Sequence, residues 1–234
     1  MAAVLLITAV LIAYLPNQLF TASIFAVLFF LLFFLARPRT GLILLLLVRA
    51  SLDITKSYFS VYLTDTFQIT GATTISFVLI IGGAAYLLAC RKSITQPPLA
   101  WIFLVFLTVS LIHFLLVEDL PLSVMEFLRF FSAYIVYLLV YHLCETEKDI
   151  RTMVNTIIFS SLIPIGAGLY QAVLNRGQFI TGFVRAYGTF AHPNPYAFYL
   201  IIILSLAVNL FLYYRRPRRR LPLLTLIGAA LICV

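Results

Sequence analysis

Long apolar runs, separated by short polar or basic turns, govern what this chain can fold into. The run from 195 to 214 holds no charged residue at all. Nine such segments follow one another, at roughly 2–15, 19–35, 41–55, 73–90, 99–117, 122–143, 152–174, 195–214 and 221 to the end. With 63% of 234 residues hydrophobic and 10% charged, a water-soluble domain would have too little polar surface to cover its core. A bilayer removes the difficulty, since each helical span needs only about 20 mostly apolar residues. Lipid offers no partners to backbone N–H and C=O groups, so spans must be helices or a closed barrel. These runs are long and do not alternate, which selects helices. The expected fold is therefore all-α: a polytopic transmembrane helical bundle of about nine segments, forming a single domain over 1–234. The first and third segments are short, which fits tilted, partial or internally packed helices.

Basic residues set the orientation. Eleven of the 16 Lys and Arg fall in one alternate set of loops: Arg37 and Arg39; Arg91 and Lys92; Lys148 and Arg151; and Arg215, Arg216, Arg218, Arg219 and Arg220. The other set holds only Lys56, Arg176 and Arg185, while Arg49 and Arg129 lie inside segments. The positive-inside rule makes the first set and the N-terminus cytoplasmic. The same rule accounts for the net charge of +8, and with no basic stripe on a soluble surface no nucleic-acid partner is expected. Cys90, Cys144 and Cys233 have neither metal nor disulfide spacing and read as small hydrophobes. Met1 to Val10 lacks a basic start and a small-residue cleavage site, so the first span is expected to be its own insertion signal. The final run covers about 21 Å by Val234. The chain is accordingly expected to be the N-terminal part of a longer protein, a tilted last helix being the alternative.

Charges inside a membrane mark a site, a paired strut or a wet cavity. Arg49 and Asp53 are four apart in the third segment, and Glu126 and Arg129 three apart in the sixth, so each pair shares a helix face. Each can simply neutralise itself and support the bundle. The topology nevertheless places both pairs toward the outer side, together with His113, Tyr170 and Gln171. That common depth favours an outward polar cavity. Tyr134, Tyr137 and Tyr141 form a stripe that reads as a packing face, and Trp101 as an interfacial anchor. No metal-ligand cluster and no cofactor signature appear.

The outer loop at 175–194 is long, which favours a functional role over a mere connection. It ends in Arg185-Ala-Tyr-Gly-Thr-Phe-Ala-His-Pro-Asn-Pro-Tyr-Ala. Asn194 is expected to cap the next helix, with Pro195 in its first turn. Gly188 permits a close backbone approach. A helix start with Arg176, Arg185 and His192 upstream makes an anion receptor suited to phosphate; an ordinary helix start with two loop arginines is the plain alternative.

This stretch resembles the R-x-x-G-T-F-x-H-P-N signature of the O-antigen ligase and polymerase superfamily, matched by Arg185, Gly188, Thr189, Phe190, His192, Pro193 and Asn194. The whole chain is similar to the N-terminal half of such a protein. The resemblance implies a metal-independent, cofactor-free glycosyltransferase of the bacterial inner membrane, serving lipopolysaccharide and surface-polysaccharide assembly. Its donor would be an undecaprenyl-pyrophosphate-linked glycan and its acceptor a lipid or another glycan. In that family an external loop in the C-terminal half carries the proposed catalytic histidine, so no catalytic residue is assigned here. The expected substrate-binding residues are Arg185, Gly188, His192, Asn194, Arg176, Arg129, Glu126, Arg49 and Asp53. Two other classes stay open: transport of a small, bicarbonate-like anion, and a non-catalytic assembly partner.

Overall fold

The structure is a computed structural model that describes residues 18–52, 60–62, 68–114, 116, 120–180, 182–214 and 217–233. Among these the fold is all-α, with eight helices and two short hairpins. The helices are α1 (Gln18–Ala36), α2 (Pro38–Arg49), α3 (Gly71–Ala89), α4 (Ala100–His113), α5 (Leu120–Leu143), α6 (Glu147–Val173), α7 (Pro193–Tyr213) and α8 (Pro217–Cys233). Strands β1 (Ser60–Tyr62) and β2 (Gln68–Thr70) pair antiparallel, as do β3 (Gln178–Ile180) and β4 (Phe183–Arg185).

About nine spans were expected; among the described residues three helices are long and apolar enough to cross a membrane, α5, α6 and α7. The difference lies in where helices stop. The run at 41–55 ends as a helix at Arg49, and the run at 99–117 ends at His113, leaving α2 and α4 about 18 and 21 Å long. Among the described residues, the further apolar stretches are Val27–Ala36, Thr73–Ala89 and Arg220–Cys233. The expected segment at 2–15 lies outside the described residues, as does Asp53.

The seventh expected segment, α6, starts earlier in the chain instead. Thr146 accepts from the Asp149 amide at 3.3 Å and Asp149 accepts from the Thr146 amide at 3.1 Å. This reciprocal capping box satisfies two orphan donors and starts α6 at Glu147 rather than 152. The helix then breaks at Ser161. Pro164 has no N–H to offer the Ser160 carbonyl, and the Ser160 and Ser161 hydroxyls donate to the Ile157 and Ile158 carbonyls at 2.7 and 2.6 Å. Both effects bend a helix.

The chain forms two compact units, one of residues 1–42 and 74–143, the other of 43–73 and 144–234. In the first, Phe34, Leu42, Leu138 and Leu139 are fully buried. Gly82 and Gly83 let neighbours reach the α3 backbone: a Cβ would lie 2.9 Å from the Phe34 ring and 2.4 Å from Ile135. Small residues at helix contacts serve close packing where no hydrophobic drive separates protein from lipid. The tyrosine stripe packs as expected over part of its length. Tyr134 and Tyr137 stack on Phe103, and their hydroxyls bond the Ile94 carbonyl and the Leu99 amide.

In the second unit Tyr196, Leu200, Ile203 and Ala207 of α7 meet Ile165 of α6 and Leu223, Leu226 and Ala230 of α8. The faces turned away from these cores are apolar. Leu88, Val173, Phe198 and Leu212 are each more than two-thirds exposed. Apolar faces of that extent fit lipid and not water.

Candidate functional site

The segment from Arg176 to Asn194 is built around one side chain, Gln171. The second half of α6 ends in a Schellman turn: the Arg176 amide donates to the Gln171 carbonyl at 2.9 Å, the Asn175 amide to Ala172 at 3.4 Å, and Asn175 takes a φ of 53°. That closure satisfies the last carbonyls of the helix. The Gln171 side chain, 9% exposed, is then aimed at the loop that returns. Its Oε1 accepts from the Tyr187 and Gly188 amides at 2.9 and 2.8 Å, and its Nε2 donates to the Gly188 carbonyl at 2.9 Å. Three backbone groups that would otherwise be buried and unpaired are thus satisfied by a single amide.

Between these points the chain makes the β3–β4 hairpin, in which Gln178 pairs with Arg185. A Cβ on Gly177 would lie 2.3 Å from the Arg185 carbonyl oxygen, so the chain before the hairpin passes directly against Arg185. Arg176 stands two residues before Arg185's strand partner. Both arginines are exposed. Arg176 donates to the Tyr170 hydroxyl at 3.2 Å, and among the described residues Arg185 forms no ion pair. The hairpin thus brings the chain at Arg176 and at Arg185 close together, and a guanidinium has five N–H donors to offer an anion.

Gly188 is buried at a φ of 56°, where a Cβ would meet the Tyr196 ring at 2.7 Å and the Pro164 carbonyl oxygen at 2.8 Å. Both the backbone sign and the space require glycine. Next to it, Thr189 is 2% exposed and its hydroxyl donates to the Ala50 carbonyl at 2.8 Å. This ties the signature loop to the end of α2 and brings Arg49, one residue earlier, into the same unit. The adjoining Ser51 hydroxyl is buried with no hydrogen-bond partner among the described residues.

The helix after the loop starts two residues sooner than expected. His192, not Asn194, is the N-cap: it is extended (φ −149°, ψ 149°), and its Nδ1 accepts from the Asn194 amide at 3.2 Å. Pro193 takes the first helical position, where its missing N–H costs nothing and its φ is preset. A neutral ring that accepts at Nδ1 carries its proton on Nε2, leaving that N–H as a donor beside the helix start. Asn194 is exposed in the first turn. Tyr196, 1% exposed, sends its hydroxyl to the Pro164 carbonyl at 3.1 Å and anchors the first turn of α7 at the break in α6.

Glu126 and Arg129 belong to the other unit. Arg129 donates to both carboxylate oxygens at 2.7 and 2.8 Å, the self-neutralising pair that the i,i+3 spacing allowed. Asp53 lies outside the described residues, and the helix expected to carry it on Arg49's face ends at Arg49. The structure thus assembles Arg176, Arg185, Gly188, His192, Asn194 and the chain beside Arg49 within one unit. Gln171, Thr189 and Tyr196 are the supports that spacing alone did not single out. No group of three His, Cys, Asp or Glu side chains that could hold a metal occurs among the described residues.

No protein-family model, curated protein or solved structure matches this chain.

Proposed function

We propose that this chain is a membrane glycosyltransferase-type protein that ligates or polymerises undecaprenyl-pyrophosphate-linked glycans at the outer face of the bacterial inner membrane. The observation carrying this reading is the Arg185–Asn194 loop. With the hairpin before it, it links the exposed Arg176 and Arg185 to a proline-started helix N-terminus, and Gln171, Thr189 and Tyr196 hold it in place. A lipid pyrophosphate lies at the membrane surface with its tail in the bilayer. Charge grows on that leaving group as the glycosidic bond breaks. Guanidinium groups and a helix dipole fixed beside it would lower the barrier without a metal. Arg185 and Arg176 bind the pyrophosphate, and His192 and Asn194 present donors at the helix start.

The test is Arg185→Ala in the native host, with the surface glycan resolved on gels and the protein quantified in membranes. Polymer or ligated glycan should fall at least a hundredfold at normal protein level, the cost of losing a charged contact to a developing charge. Unchanged glycan would sink the reading.

One observation favours a second reading, small-anion transport. Broken helices near the midplane are a transporter feature, and α6 breaks at Ser161. Anion uptake into proteoliposomes, with normal glycan in a deletion strain, would favour it over glycan transfer.

A further inference from the structure

The bend in α6 and the proline within α8 leave a groove away from the signature loop. Its volume is about 570 Å³. Arg151, Asn155 and Tyr214 line one end, and Leu162, Leu223 and Leu226 the other. The eleven helical steps from Arg151 to Leu162 make it about 16 Å long. Pro222 stands in its wall and, lacking an N–H, interrupts the α8 ladder there. On the α6 wall Phe159 and Leu162 are 62% and 54% exposed, so the groove opens sideways along the helix face.

We propose that, with α6 and α7 crossing a membrane, this groove holds an acyl chain of an anionic glycerophospholipid, whose phosphate sits at the mouth against Arg151 and Arg220. The groove is polar and cationic at one end and apolar along its length, which is the pattern of a lipid and not of a soluble anion. Arg151 donates through one nitrogen to Glu147 at 2.8 Å and to the Tyr213 hydroxyl at 2.9 Å, and a guanidinium has five N–H donors to distribute. Arg220 donates through Nε to the carbonyl of Tyr214, a groove residue, and lies over the Phe211 ring at 4.9 Å. In sequence, the start of α6 and the stretch after α7 together carry Lys148, Arg151 and the five arginines of 215–220 against Glu145, Glu147 and Asp149. Basic pockets between spans on the positive-inside face select anionic headgroups. A zwitterionic lipid would gain the apolar contacts without the charge.

The experiment uses the full 234-residue chain in detergent, titrated with phosphatidylglycerol or with phosphatidylcholine of the same chains, and counts retained lipid by native mass spectrometry. One phosphatidylglycerol should be retained, about thirtyfold more tightly than phosphatidylcholine, from two arginines near the headgroup. Arg151→Gln with Arg220→Gln should erase that preference. Leu223→Trp, or Asn155→Phe from the opposite wall should the first fail to fold, should expel both lipids. Equal affinity for the two lipids, or phosphatidylglycerol retained through the groove-filling changes, overturns the proposal. So does a dimer that shields a cysteine placed at Phe159, because a second copy then fills the groove. Release of the chain by alkaline carbonate overturns the membrane reading with it, whereas retention in the membrane with equal lipid affinities overturns the lipid site alone.

Discussion

Gln171 carries no charge and touches no other side chain of the signature, yet the loop's geometry depends on it. Replacing it by leucine would leave the Tyr187 and Gly188 amides and the Gly188 carbonyl in a buried place without partners. Each unmade bond of that kind costs about 1–3 kcal/mol, and relaxation of the loop toward water would recover part of it. Gln171→Leu should therefore lower stability by about 2–4 kcal/mol, read as a drop in the midpoint of unfolding in detergent. It should also open the hairpin to limited proteolysis. An unchanged midpoint together with an intact hairpin would remove Gln171 from its supporting role. The sequence marked Gln171 only as a polar group at a common depth with others. Its true partners are backbone groups 16 and 17 positions away, and no spacing rule reaches that far. Gly188 was legible because glycine's backbone requirement is local. The histidine cap was not: asparagine is the commoner cap, and the fixed φ of Pro193 suits a start two residues earlier.

Helix α6 shows what apolar patterning reads and what it misses. Hydropathy marks the stretch from 152, while the polar first turn belongs to the helix because Thr146 and Asp149 cap each other. The break at Ser161 follows from Pro164 and two serine hydroxyls, residues visible in the sequence, but its consequence is tertiary. Just past it the Tyr196 hydroxyl donates to the Pro164 carbonyl, and Gly168 leaves room for that phenol. Two glycines on this one element should then behave oppositely. A Cβ at Gly168 would lie 2.1 Å from the Tyr196 hydroxyl, whereas one at Gly166 meets nothing within 4 Å. Gly168→Ala should destabilise by about 1–3 kcal/mol through overpacking. Gly166→Ala should be neutral or stabilising by up to about 1 kcal/mol, from helix propensity. Thermal unfolding of both variants in the same detergent checks the pair, and equal shifts would mean that Tyr196 does not occupy the place described.

At the scale of the whole chain, the strongest sequence signal was apolar length with basic loops on alternate sides, and it over-counted spans because composition does not say where a helix ends. The helices that survive the length criterion still set a clear orientation within the second unit. Ser160 approaches Tyr199 and Pro164 approaches Tyr196, while Arg151 at the start of α6 reaches Tyr213 at the end of α7. The two helices are therefore antiparallel. They are 27 and 21 residues long, about 40 and 31 Å, enough to cross a hydrocarbon core of about 30 Å. The loop before α6 and the arginines after α7 must then share one side, with the β3–β4 hairpin on the other. In the proposed orientation, which follows the positive-inside rule, the basic residues at 148, 151 and 215–220 lie on the cytoplasmic side, and Arg176 and Arg185 face outward, as the proposed lipid-linked donor requires. Single cysteines at Gln178 and Glu145, in a chain whose Cys90, Cys144 and Cys233 are replaced by alanine, make this measurable. A membrane-impermeant thiol reagent applied to intact cells should label the Gln178 position freely and the Glu145 position only after permeabilisation. Labelling of both positions in intact cells would mean that α6 does not cross. The reversed pattern would place the arginine loop on the cytoplasmic face, and with it remove the geometry that makes a pyrophosphate donor reachable.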